Sequence, residues 1–175
     1  IRVEDTRYAL ALASAAYFGY PAEKLHIIGI TGTKGKTTTT YMIKSILEGV
    51  GHKVGLIGTI EAIIGEEVIP AANTTPESYT IHQYFAKMVE AGCRYIVMEV
   101  SSQSYLMHRV DGLFFDYGIF LNISNDHIGP NEHASFEEYL YYKKQLLKNC
   151  RTALVNRDDP HFDAIVEGAT AEILT

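Results

Sequence analysis

The chain has 175 residues, 47% hydrophobic and 21% charged, enough apolar material for one well-buried core and too much for a disordered or collagen-like chain. A formal charge of −6, with 15 Lys and Arg scattered along the sequence, offers no basic stripe to nucleic acid, and no apolar run approaches the roughly 20 residues that span a bilayer. Cys93 and Cys150 lie far apart without metal-ligand spacing, and the N-terminus lacks the basic start and apolar stretch of a signal peptide. Both cysteines are expected to be reduced core residues of a soluble, cytoplasmic protein.

In chain order, the alanine-rich segment 5–18 reads as a helix capped near Asp5 that packs before the first strand. Short apolar runs then alternate with amphipathic ones: strand 25–30, helix 36–50, strand 53–57, helix 77–91, strands 94–100 and 117–122, helix 135–149 and strand 152–156. A small β excursion between 60 and 69 turns at Gly65, and the closing AEILT reads as a further strand. No repeat, low-complexity stretch or Pro/Ser-rich linker divides the chain. The alternation predicts an α/β fold: a mostly parallel, doubly wound sheet with helices on both faces, in which residues 1–24 lead into one unit over 25–175.

The first strand runs into TGTKGKTTTT, and a helix begins where the glycines end, the context a phosphate loop requires. Gly32 and Gly35 let backbone N–H groups turn toward an anion, Lys36 can reach the β- and γ-phosphates, and Thr37 can place its hydroxyl on Mg²⁺. ATP or GTP is the predicted ligand, with Thr33, Lys34 and Thr38 completing the loop. The spacing G-x-x-x-x-G-K-S/T would need glycine where Ile30 stands, so this is a shorter variant of the loop.

Other polar residues fall at the same sheet edge. Glu99 ends an otherwise apolar strand, where it is a Mg²⁺ ligand, a structural ion-pair partner or a solvent-exposed strand end, and the following SSQS adds hydroxyls. Asn122, Asp126 and His127 follow another strand, His127 being a metal ligand or a hydrogen-bonded surface residue, and His133 reads as a loop residue. On the helix 135–149, Phe136, Leu140, Lys143 and Leu147 share one stripe, which turns Lys143 inward. An inward lysine either snorkels outward or is held near other charges for a function.

Taken together, GTKGKTTTT, NTTPES at 73–78, MEVSSQ at 98–103, HRV at 108–110, SNDH at 124–127 and YLYYKKQLL from Tyr139 resemble the Mur ligase family in order and spacing, and within it the tripeptide-synthetase branch. The resemblance implies the central ATP-binding domain of a three-domain enzyme that joins a carboxylate to an amine through an acyl phosphate. It implies that Lys36 and Thr37 hold the triphosphate and one Mg²⁺, that Glu99 is a metal ligand, that His127 helps bind a second Mg²⁺, and that Lys143 is carbamylated by CO₂ to an anion that can support the metal. Asn73, Thr74, Thr75, Ser101 and Arg109 would contact a UDP-MurNAc-dipeptide, with lysine or diaminopimelate as the added amino acid. By itself the chain is expected to bind nucleotide and ligate nothing. Two positions depart from the family pattern: Lys34 stands where many members have asparagine, and Met107 where a glutamine often contacts the dipeptide. Two other readings share the loop. Folylpolyglutamate-synthase-like ligation fits NTTPES poorly, and a nucleotide switch without ligase chemistry needs neither an inward Lys143 nor Glu99 with His127.

Overall fold

Local signals start most of the helices. Asp5 accepts the N–H groups of Arg7 and Tyr8 and opens α1 (Thr6–Tyr17), and Gly35, at φ +86°, opens α2 (Lys36–Gly49). A computed structural model describes residues 2–126, 128–130 and 132–175. A 3₁₀ turn (Pro21–Lys24) leads into β1 (His26–Thr31), and α2 is followed by β2 (Val54–Ile57) and the hairpin β3 (Glu61–Ile64) and β4 (Glu67–Pro70). Gly65 takes φ +60° at the hairpin turn, as the sequence suggests. Then come α3 (Ser78–Glu90), β5 (Tyr95–Glu99), α4 (Ser102–Leu106), β6 (Phe115–Phe120), α5 (Phe136–Lys144), β7 (Cys150–Val155), α6 (Phe162–Val166) and β8 (Glu172–Leu174).

Three differences from the sequence reading have local causes. The expected helix 135–149 ends as α5 at Lys144 and tightens into a 3₁₀ turn over Gln145–Lys148, whose tighter backbone sets Leu146 and Leu147 into the core. The SSQS segment is the start of α4, Ser101 Oγ accepting the N–H of Ser104 at 3.2 Å. Neither α4 nor α6 is long enough to show a period.

The described strands form one sheet in the order β4-β3-β2-β5-β1-β6-β7-β8, parallel except for the two hairpin strands. From β1 the chain goes out to β2 and the hairpin and returns to β5 beside β1, then crosses over and runs outward through β6, β7 and β8, so β1 lies at the reversal point between β5 and β6. In an open α/β sheet that is where a crevice opens beyond the carboxyl ends of the strands. Pairing of Ile30 with both Glu99 and Ile119 brings the segments after β1, β5 and β6 to one rim. On one face, Ile43 and Leu47 of α2 pack on Ile28, Ile30, Val54 and Val97. The larger core joins Phe85 and Met88 of α3, Tyr105 of α4, Tyr139 of α5 and Ile165 of α6 to Ile27, Ile96, Met98 and Phe115 of the sheet. Cys93 and Cys150 are free thiols within it.

Gly29 and Gly118 pair across β1 and β6, leaving a dent that Phe115 and Leu146 fill. A β-carbon at Gly29 would lie 2.7 Å from Phe115 Cδ1 and 3.1 Å from Leu146 Cδ1. Gly29→Ala is therefore expected to destabilise the fold by about 1–3 kcal/mol through overpacking. Urea unfolding would read this as a lower midpoint at unchanged slope; an unchanged midpoint would contradict the packing argument.

Candidate active site

At the rim, the loop between β1 and α2 bends sharply. Gly32 has φ +153°, and a β-carbon there would lie 3.1 Å from Leu121 Cβ, so the position requires glycine. The Gly32 carbonyl accepts from two ammonium groups, Lys36 Nζ at 2.8 Å and Lys143 Nζ at 2.9 Å, and Lys36 also donates to the Thr33 carbonyl at 3.2 Å. The inward stripe of α5 thus delivers Lys143, 2% exposed, under the loop, with Nζ 4.7 Å from the centre of the Tyr139 ring. Burial, and then the Lys36 ammonium, depress the Lys143 pKa well below that of an ordinary lysine, against an opposing contribution from Asp126. Burial also lowers Lys36, whereas Glu99 supports its charge.

Glu99 is completely buried at the end of β5. Its Oε1 accepts from Thr37 Oγ1 and from the Thr59 N–H, both at 2.9 Å, and its Oε2 accepts from Thr59 Oγ1 at 3.0 Å. Three donors stabilise the carboxylate where burial alone would not. Together with Thr33, Lys34, Gly35, Lys36, Thr38 and Thr74 these residues line a cavity of about 440 Å³. Its anionic and hydroxyl oxygens beside a helix N-terminus are the donor chemistry of a hard divalent cation bound with phosphate. Among the described residues no three His, Cys, Asp or Glu converge as a preformed metal cage, so such an ion would need phosphate oxygens to fill its coordination. His127 lies outside the described residues.

A second cleft of about 220 Å³ adjoins the first and shares Lys36 and Thr74 with it. Lys143, Arg109, Asn73, Thr75 and Ser101 also line it. A left-handed His108, φ +55°, turns the chain after α4 and carries Arg109 into this wall, where it bonds Glu77 at 2.7 Å and the Thr75 carbonyl at 3.2 Å. Thr75 is fully buried, and its hydroxyl donates to the Glu99 carbonyl at 2.9 Å while accepting the Ser101 N–H at 3.1 Å. It ties the 73–75 segment to β5, leaving Asn73 and Thr74 more open to a ligand. Lys34, its side chain 78% exposed, pairs with Asp126 at 2.9 Å. His133 lies in the loop before α5, as expected, yet it is completely buried, with Nε2 2.8 Å from Ser102 Oγ. A lone histidine carries no periodic signal that would reveal this. Thr59 was legible only as a residue just past the carboxyl end of β2, the rim where such sheets place ligands.

A glycine loop, a buried carboxylate on the threonine that follows it and an inward lysine beneath it are thus assembled at one sheet edge. Residues 30–175 match the Mur ligase middle domain. The chain belongs to the Mur ligase family. It is 50% identical, over 95% of its length and 34% of the relative's, to the UDP-N-acetylmuramoyl-L-alanyl-D-glutamate--2,6-diaminopimelate ligase of Clostridium perfringens. To the corresponding L-lysine ligase of Streptococcus pneumoniae it is 45% identical, covering 95% of this chain and 35% of that one. The Mur ligase chain therefore spans about a third of the length of these curated relatives. A solved diaminopimelate ligase superposes with a TM-score of 0.80 at 23% identity, over 96% of this chain and 36% of that one. The Mycobacterium tuberculosis folylpolyglutamate synthase, complexed with ADP and AMPPCP, superposes at 0.71 and 15% identity, over 95% and 46%. These two likenesses establish the fold.

Because burial and Lys36 both penalise the Lys143 ammonium, Lys143 is expected to lose its proton well below the pH at which surface lysines do. Lys36→Met should raise its pKa by removing the like charge. An NMR titration of the lysine ε-carbons would check both, and a Lys143 that titrates with the surface lysines would contradict this electrostatic reading.

Proposed function

We propose that this domain binds ATP and Mg²⁺ and activates a substrate carboxylate within a cytoplasmic ligase of peptidoglycan synthesis, which adds an amino acid to UDP-MurNAc-L-Ala-D-Glu. The observation that carries this reading is the adjacency of two cavities: the loop cavity holding Thr37 and Glu99, and the cationic cleft holding Lys143 and Arg109, joined through Lys36 and Thr74. The chain's share of its relatives' length supports assigning uridine binding and amino-acid binding to other domains of such an enzyme, with residues 1–24 joining the first of them to 25–175.

The phosphates would sit against the first-turn N–H groups of α2, with Lys36 leaving the loop carbonyls to bind the β- and γ-phosphates. Thr37 and Glu99, with His127 as a further candidate, would hold Mg²⁺, which when bound supplies neutralisation of phosphate charge. Arg109 would exchange Glu77 for an acidic group of the dipeptide, beside Asn73, Thr74, Thr75 and Ser101. A carboxylate oxygen of the dipeptide then attacks the γ-phosphorus, the bond from phosphorus to the bridging oxygen breaks, and ADP leaves. The amine attacks the resulting acyl phosphate, phosphate departs, and the nitrogen loses a proton to give the amide. Lys36 is placed to stabilise charge on the transferring group, and most of the acceleration comes from positioning.

Lys143 fits a further role. A neutral amine can attack CO₂, forming an N–C bond and releasing a proton, and the depressed pKa makes the neutral form of Lys143 more accessible than that of a surface lysine. The carbamate would exchange a disfavoured cation for an anion flanked by Lys36 and able to support the metal. The acceptor, lysine or diaminopimelate, is chosen elsewhere in the enzyme on this reading, since a diaminopimelate ligase and a lysine ligase both match this domain closely.

Isothermal titration of the chain with MgATP should give saturable binding, weakened at least tenfold in Lys36→Ala by loss of a charge-assisted contact. Glu99→Gln should remove much of the dependence on Mg²⁺. Phosphate release by a complete enzyme carrying this domain should require the dipeptide and one amino acid, whereas the chain alone should bind nucleotide and release none. Release indifferent to the dipeptide would end the ligase reading.

A further inference from the structure

The tip of the phosphate loop is held by a side chain from another strand. Asn122, two residues beyond β6, accepts through Oδ1 the N–H groups of Thr33 at 3.1 Å and Lys34 at 3.0 Å, and returns Nδ2–H to the Lys34 carbonyl at 3.1 Å. Its own backbone carbonyl accepts the Thr33 N–H at 3.0 Å. The residues that follow extend the grip: the Ser124 N–H donates to Thr33 Oγ1 at 3.0 Å, and Asp126 pairs with Lys34 at 2.9 Å. Behind them the buried Asp159 carboxylate accepts the Ile123 N–H at 2.8 Å and fixes the segment to the body of the domain.

The N–H groups of Thr33 and Lys34 are bonded to Asn122, so they are not turned toward an anion in front of the loop. What remains for an anion is the set of N–H groups at 35–38, which intrahelical bonding leaves without acceptors, and the Lys36 ammonium. The short loop, with Ile30 where a longer one has glycine, is tied at its tip by the neighbouring strand's carboxamide. The carboxamide offers, on two separate atoms, an acceptor for both N–H groups and a donor for the carbonyl.

We infer that Asn122 is a positioning residue of the nucleotide site: its carboxamide fixes the tip of the phosphate loop so that the phosphate cradle is the 35–38 turn and Lys36. The inference rests on the nucleotide-binding reading above and adds to it a residue that touches neither phosphate nor metal. The same clamp makes the phosphate loop and the segment from Asn122 to Asp126 one body, so a shift in one is carried to the other.

The test pairs amide hydrogen exchange with MgATP titration in the wild-type chain, Asn122→Ala and Asn122→Asp. In Asn122→Ala the Lys34 N–H should lose protection, the Thr33 N–H should keep part of its own through the residue-122 carbonyl, and ATP affinity should fall roughly tenfold or more with the thermal midpoint little changed. Asn122→Asp retains the double acceptor and should keep the Lys34 N–H protected, which holds the test open if the alanine variant folds poorly. Lys34 protection unchanged in the alanine variant, or lost there without any fall in affinity, would overturn the assignment. A wild-type chain that binds no nucleotide would sink the nucleotide reading and this inference with it, an outcome the wild-type titration separates from failure of the inference alone.

Discussion

Two ammonium groups share one carbonyl. Lys36 and Lys143 both donate to the oxygen of Gly32, and the rest of the site is arranged around the cost of that pairing. Two cations within reach of one oxygen repel each other, and burial removes the water that would screen them. Gly32, whose carbonyl holds both, adopts φ +153°, a conformation other residues rarely take, and a β-carbon there would meet Leu121. An arriving polyphosphate would relieve this repulsion, since it can take Lys36 off the loop, and loss of a proton from Lys143 would relieve it by another route.

The fold serves this arrangement by register. Parallel strands on either side of β1 end level with it, so a loop, a carboxylate and a polar turn from distant parts of the sequence meet at one edge without long connections. Rigidity comes from behind. Tyr139, completely buried, hydrogen-bonds Thr33 at 3.1 Å and places its ring under Lys143, so one core side chain supports both the loop and the lysine. On the opposite flank Thr59 and Thr75 fix the side chain and the backbone of Glu99. A buried carboxylate held by three donors is fixed in one orientation at the rim.

Family membership and site geometry bear on different questions. Identity of 45–50% to two enzymes that differ in the amino acid they add ties this domain to what those enzymes share. The geometry shows two adjoining cavities lined by cations and hydroxyls, which suit anionic groups.

The glycine loop between β1 and α2, the α/β alternation, the β excursion at Gly65 and the inward set of Lys143 were determined by the sequence itself, since each rests on a local pattern: glycine spacing at a strand end, a turn residue, or one stripe of a helical period. The tertiary structure alone decided the rest. That Glu99 bonds Thr37 and Thr59, that the Thr75 hydroxyl turns to the main chain, that His133 is buried against Ser102 and that Asn122 grips the loop tip are contacts between residues tens of positions apart. The order and register of the strands set them, and a one-dimensional pattern carries no term for which strand lies beside which. The same holds for Lys143: its helix face was legible, but the carbonyl it meets and the second ammonium beside it exist only once β1 has packed against α5 through the core.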